Sequence, residues 1–223
     1  LQATECNLRR TLVPLLNEGK VPIITGYYGA DGRGRPLTFG RGGSDYSASV
    51  IGHGVDADVV EIWTDVDGFM SADPRVVKGA RTIAEMEYGE AAELAYFGAK
   101  VLHPRTVEPA KRKGVAVLVK NTFNPAHPGT TIVRNGHRDS RVVKALTYIE
   151  KVTAINICGA QMIGRPGVAK AIFTILADHE VNVMMISQGS SEVNVSFVVK
   201  GGDGKRALQV LHDEFRLSEN SDD

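Results

Sequence analysis

Cysteine is scarce in this chain, long apolar runs are missing, and neither sign of charge is in excess. Each shortage removes a class of protein. The only cysteines among the 223 residues, Cys6 and Cys158, are far apart and in no metal-ligand or redox spacing, so no disulfide framework is expected and a reducing compartment fits. Lys+Arg and Asp+Glu both number 26, so no bulk field draws the protein to nucleic acid or to an anionic membrane, and any anion site must be local. No apolar run of about 18 residues exists, and the first residues lack the basic, apolar, small-residue order of a secretory signal, which predicts a cytoplasmic protein. The six histidines show no metal spacing. His103 is read as structural, and His53, His127, His137, His179 and His212 are isolated.

What is present is an ordinary globular composition, 43% hydrophobic and 23% charged, enough for one large or two small domains. The most pointed stretch is residues 38–49, where Gly40, Arg41, Gly42, Gly43, Ser44 and Asp45 run consecutively into a helix-like run of small residues. Glycines let backbone N–H groups approach an oxyanion with no Cβ in the way, and Ser44 or Asp45 can cap the following helix. Arg41 adds a planar fork for two oxygens of a carboxylate or phosphate, and the helix N-terminus adds partial positive charge. The plainer alternative is a glycine turn between a strand and a helix.

Residues 4–18 place Leu8, Leu12, Leu15 and Leu16 at helical spacing before Gly19. Residues 21–26 read as a buried strand, and 27–36 as a polar glycine loop or hairpin. Residues 59–64 read as a central parallel strand ending in Thr64 and Asp65, followed by an irregular connection through Asp67-Gly68 and Asp73-Pro74. Helices are expected over 89–98 and 107–113, with a strand over 115–119. This alternation predicts an α/β domain with a mostly parallel sheet covered on both faces. Residues 121–141, rich in proline and glycine, read as a boundary, dividing a domain over 1–135 from one over 142–217. In the second, strands are expected at 142–149, 153–158 and 181–187. A helix over 167–179 buries Val168, Ile172, Ile175 and Leu176. A strand follows with Val193, Val195, Phe197 and Val199 alternating, then a helix with a stripe of Leu208, Leu211 and Phe215. The order strand, helix, strand, strand, helix is ferredoxin-like but one strand short.

Three blocks, the cradle at 40–45, the run 59–75 and the run 93–104, in this order and spacing resemble the aspartate kinases of the amino-acid kinase family. Residues 157–199, with Gly164-Arg165-Pro166-Gly167 and Ser187-Gln188-Gly189-Ser190-Ser191-Glu192, look like the ACT regulatory domain those kinases carry. The resemblance implies the C-terminal half of the family's mostly parallel three-layer α/β fold, followed by a ferredoxin-like α+β ACT domain. It implies ATP-dependent phosphorylation of the L-aspartate side-chain carboxylate to 4-phospho-L-aspartate, the first step toward lysine, threonine and methionine, with feedback by an amino acid. Arg41 would clamp an aspartate carboxylate, Gly42, Gly43 and Ser44 would line its pocket, and Asp45 would orient or polarise groups at the reacting centre. Thr64 and Asp65 would hold the nucleotide's base or ribose, Arg75 would reach its phosphates, and Lys100 with Val101 would close over it. Met70 stands where many relatives have tyrosine, and methionine can still pack on a flat ring. Singly, Thr64 also reads as a strand-end cap, Arg75 and Lys100 as surface charges, and Asp45 as an N-cap. Mg²⁺ would arrive with ATP, held largely by phosphates and water, with no protein ligand named.

For the ACT part the resemblance points to an effector site at Met162, Arg165, Gly167, Val168, Asn182, Val183, Gln188, Ser190, Ser191 and Glu192, at a homodimer interface. Core packing for Met162, Val168 and Val183 and a turn at Asn182 are the alternatives. Lysine-sensing relatives often carry an acidic residue near Met184, which counts mildly against lysine, so the resemblance implies an effector that is threonine or lysine. The family's lysine-bearing loop, Lys-Phe-Gly-Gly-Thr-Ser, is not among these residues, and a second ACT copy is expected to be missing after the last helix. This polypeptide alone is therefore expected to lack useful turnover. The alternative function is a non-catalytic amino-acid-sensing module with a decayed kinase half.

Overall fold

The structure is a computed structural model describing residues 2–96, 98, 101–136, 142–189 and 193–218. The chain divides into two compact units, Leu1–Tyr148 and Ile149–Asp223. The first unit opens with α1 (Gln2–Asn17), whose Leu12 is buried and which ends before Gly19 in a left-handed conformation. A small antiparallel hairpin follows, β1 (Tyr28–Ala30) and β2 (Pro36–Thr38), its turn held by the Asp31 carboxylate, which accepts from the Arg33 and Arg35 amides. Then come α2 (Gly43–Gly54), β3 (Val59–Thr64), β4 (Glu85–Glu87), α3 (Tyr88–Tyr96), α4 (Val107–Lys113), β5 (Ala116–Asn121) and β6 (Thr130–Val133).

The main sheet runs β3-β5-β6-β4, with β3/β5 and β4/β6 parallel and β5/β6 antiparallel. Val60, Ile62, Val117, Val119, Ile132 and Met86 project from it into a core closed by Phe69, Ala91, Val107 and Ala110. Burying each of the larger side chains contributes about 1.5–3 kcal/mol. Helix α2 lies close to β3 because Gly52 offers no Cβ; one there would overlap Val60.

Several expectations change. Residues 21–26 form no strand: an apolar run becomes one only against a hydrogen-bonding neighbour, none pairs with it among the described residues, and Val21 and Ile23 are 87% and 98% exposed. Strand β3 is at an edge of its sheet rather than central, and its burial alternates, leaving Val59 and Trp63 on an uncovered face where Lys120 Nζ lies 5.2 Å from the Trp63 ring centroid. Within the stretch read as a boundary, β6 is a buried strand. Its Thr130 hydroxyl accepts from the Phe69 amide and donates to the Ile83 carbonyl. Residues 142–149 are irregular, with Val142, Val143 and Leu146 exposed and the Leu146 amide bonded to the Ser71 carbonyl.

The second unit contains β7 (Val152–Cys158), α5 (Val168–Asp178), β8 (Val183–Gln188), β9 (Asn194–Lys200) and α6 (Gly204–Glu214). Its antiparallel sheet has the order β7-β9-β8, and β8 carries a register shift between Val183 and Met185. Ile155, Val195, Phe197 and Val199 face Ile172 and Leu176 of α5 and Ala207 and Leu211 of α6, with Phe173 edge-on to Phe197. Leu208 does not belong to the buried stripe: it is 53% exposed, and Ala207 takes the inward position.

Candidate functional site

The wiring of the first unit gathers its polar groups at one edge. Strands β3 and β5 are parallel, and each is preceded by a helix, α2 and α4, through a short connection. Helix α2 is about 18 Å long and β3 about 20 Å, so a helix that packs back along the strand it feeds returns its N-terminus to the strand's carboxyl end. That edge is where ligands bind in open α/β sheets.

At the start of α2 the backbone makes its own cap. Gly42 is the N-cap, at φ 67°, and no side chain caps the helix, so Ser44 and Asp45 are first-turn residues and neither supplies the cap that either could have made. The Gly43 amide reaches the Gly40 carbonyl at 3.1 Å. Ser47 secures the turn from within, its hydroxyl donating to the Gly43 carbonyl at 2.6 Å and accepting from the Tyr27 amide at 2.8 Å. A Cβ on Gly42 would overlap the side chain of His103, so the cradle presses on the turn that leads to α4. There the His103 ring Nδ1 accepts from the Arg105 amide at 3.2 Å. His103, expected to be structural only, thus walls the cradle. Asp45 is half-buried, and that burial raises its carboxyl above the usual value against a Ser44 hydrogen bond and the His103 charge, which pull it down. Arg41 is exposed and has no carboxylate partner among the described residues.

The other expected positions fall as follows. Thr64 ends β3; its carbonyl accepts from the Thr122 amide at 2.8 Å and its hydroxyl donates to the Asp65 carboxylate at 3.2 Å. Met70 pairs with Thr82 in an isolated bridge, and the Thr82 hydroxyl meets its sulfur at 3.4 Å. Arg75 does not project alone: its guanidinium forks onto the Asp73 carboxylate at 2.6 to 3.2 Å. Val101 packs on the main core, and Lys100 lies outside the described residues. Sequence reasoning marked Asp67 only as part of a turn and passed over Asn121 and Asn124 as site residues. One Asp67 oxygen accepts from the Asn121 amide at 2.8 Å and the Asn124 amide at 3.2 Å. The available signal was an asparagine at the strand end with a second three residues on, opposite an Asp-Gly turn.

In the second unit an open cavity of about 330 Å³ lies at the N-terminus of α5. Met162, Arg165, Gly167, Val168 and Gln188 line it, as do Val195 and Ala169, which were not singled out. Asn182 and Val183 are at the opposite end of β8, about 20 Å along a six-residue strand, and the structure does not bring them to the cavity. Ser190, Ser191 and Glu192 lie outside the described residues. Among the described residues no group of three or more His, Cys, Asp or Glu could hold a metal ion, and no helix is long and apolar enough to cross a membrane.

Residues 2–121 match the model of the amino acid kinase family, and residues 155–215 match an ACT domain. A bifunctional aspartokinase/homoserine dehydrogenase of Haemophilus influenzae is 40% identical over 196 residues, 88% of this chain and 24% of that protein. Chloroplastic aspartokinase 2 of Arabidopsis thaliana is 37% identical over 201 residues, 89% of this chain and 37% of that protein. Among solved structures, E. coli aspartokinase III in complex with aspartate and ADP superposes with a TM-score of 0.71 at 39% identity, covering 86% of this chain and 42% of that one. The same enzyme in complex with lysine and aspartate gives 0.74 at 34% identity, covering 94% and 47%. The chain thus spans about a quarter of the bifunctional relative and less than half of the solved chains. It belongs to the amino acid kinase family, its relatives there are aspartokinases, and it continues into an ACT domain.

Proposed function

We propose that this chain supplies part of the nucleotide and aspartate sites of an ATP-dependent aspartate kinase, together with an ACT region that answers to an amino acid. In the reaction the γ-phosphoryl group of ATP passes to a side-chain carboxylate oxygen of L-aspartate, giving 4-phospho-L-aspartate and ADP at the head of lysine, threonine and methionine synthesis. The observation that carries this reading is the pairing of Arg41, which has no carboxylate partner among the described residues, with a glycine-capped helix N-terminus, wired to the same sheet edge as Thr64. Two anions must be held side by side for the transfer, and positive charge with fixed backbone donors is what the step requires.

In this reading Arg41 forks onto an aspartate carboxylate, with Gly42, Gly43 and Ser44 lining the pocket and Asp45 orienting the reacting groups. Thr64, Asp65, Met70, Arg75, Lys100 and Val101 serve ATP. Arg75 would exchange some of its Asp73 contacts for phosphate oxygens. Mg²⁺ would come with the nucleotide, held largely by its phosphates and water. The kinase part would be residues 1–135 and the ACT part 142–217, with residues 142–148 grouping with the first compact unit. The 330 Å³ cavity suits a small amino acid, threonine or lysine, its carboxylate at the α5 N-terminus and Arg165 and its polar groups toward Gln188. The protein would act in the cytoplasm, as a homodimer through its ACT regions.

Calorimetric titration of the chain with ADP and with aspartate tests this. Both should bind, and Arg41→Ala should weaken aspartate at least tenfold while leaving ADP within about threefold. A chain that binds neither ligand, or an R41A variant with undiminished aspartate affinity, sinks the assignment.

A further inference from the structure

Beyond Thr64 the chain could wander, because residues 65–69 belong to no strand or helix. It does not, and the reason lies in groups that the proposed roles leave unused. Strands β3 and β5 end level, Thr64 opposite Asn121, and the Thr122 amide continues the ladder one step further onto the Thr64 carbonyl. Asp67 then accepts both side-chain amides, Asn121 at 2.8 Å and Asn124 at 3.2 Å, on one oxygen. Asn121 uses its own oxygen to hold the Phe123 amide at 2.9 Å. Two residues after Asp67, the Phe69 amide is tied to the buried Thr130 hydroxyl at 2.8 Å. The turn is thereby fixed on both sides of Gly68, and the shape of the Thr64-Asp65 step is set from across the sheet edge.

We infer that Asp67, with Asn121 and Asn124, is a positioning clamp for the nucleotide site: it holds the Thr64-Asp65 turn in the shape that receives the base or ribose. The inference rests on the proposed nucleotide role of Thr64 and Asp65. What the clamp needs from Asp67 is an acceptor, not a charge, since both donors are neutral amides. An asparagine oxygen in its place can accept the same two bonds.

The chain is titrated with ADP and, separately, with aspartate in the wild type, Asp67→Ala, Asn121→Ala and Asp67→Asn. D67A and N121A should weaken ADP at least tenfold, D67N should stay within about threefold of the wild type, and aspartate affinity should stay within about twofold in all three. A merely structural loss would lower both ligands together and would not be rescued by D67N. Wild-type binding of ADP with unchanged affinity in D67A overturns the clamp alone, as does equal loss of both ligands. A wild type that binds no ADP overturns the nucleotide reading and the clamp with it. Hydrogen exchange at the Phe69 and Phe123 amides gives a ligand-free check: faster exchange in D67A but not in D67N is expected, and no change in D67A counts against the clamp.

Discussion

The two units begin a helix with the same device and surround it differently. Gly42 before α2 and Gly167 before α5 are both left-handed N-caps, at φ 67° and 92°, with no side-chain cap. Around Gly42 the structure is closed, because an added Cβ would overlap His103; an added Cβ on Gly167 would meet nothing within 4 Å among the described residues. One helix end is walled, the other opens on a cavity. The contrast separates two uses of glycine: the first unit needs its small size as well as its backbone freedom, the second needs only the freedom. A walled site suits a substrate held in a fixed pose, and an open one suits a ligand that comes and goes.

The largest expected effect tests that contrast directly. Gly42→Ala should cost the first unit about 2–4 kcal/mol, combining backbone strain with overlap, whereas Gly167→Ala should cost the second about 1 kcal/mol from strain alone. Urea unfolding of each variant measures both, and equal losses would erase the distinction.

A pH experiment sharpens the picture of the first unit. At the far end of α2 from the cradle, Lys113 Nζ donates to Glu5 and to Asp56 at 2.6 Å each, and Arg9 also pairs with Asp56, clasping α1 to the ends of α2 and α4. The Lys113 hydrogen bonds hold the Glu5 and Asp56 carboxyls below their ordinary 4.5 and 3.8, and bonds to those carboxylates raise Lys113 above 10.5. A carboxyl lowered in the folded state contributes stability that is present above its unfolded value and lost as pH falls through the folded one. For Lys113 the contribution is present below 10.5 and lost as pH rises through its folded value. Asp45 works in the opposite sense to the clasp carboxylates: burial raises it, so acid taken up between its folded and unfolded values favours folding. Lys113→Met should therefore flatten the loss of stability below about pH 4.5, read from thermal melts across pH. An unchanged acid limb would remove the clasp from the account.

The smallest effect belongs to the second unit. Leu208→Ser should change stability by no more than about 0.5 kcal/mol, because that side chain faces solvent while Ala207 and Leu211 carry the contact. A loss above 1 kcal/mol in urea would mean that α6 buries more than Ala207 and Leu211.

Helices were the legible part. Leucine spacing announced α1, and the run from Val168 to Leu176 announced α5, because an amphipathic helix carries its period within itself. Strands depend on neighbours, and there the reading failed in both directions. Residues 21–26 are apolar yet pair with no strand among the described residues, while Thr130 to Val133, flanked by Gly129 and Gly136, looked like linker and is a buried strand. The cradle could be located from Gly40 to Asp45, but not its cap, since a glycine N-cap and a Ser44 cap read alike in sequence. The Asp67 clamp joins residues 54 and 57 positions apart, a distance no local pattern reports.

The register shift in β8 has a consequence for the second unit. Val183 sits opposite Val199, so strict alternation from there would set Met185 opposite Phe197 and Ser187 opposite Val195. Because the shift intervenes, Ile186 meets Phe197 and Gln188 meets Val195. One surplus residue thus reverses the parity of the strand, and it is this reversal that turns an amide, rather than a hydroxyl, toward the hollow beside α5.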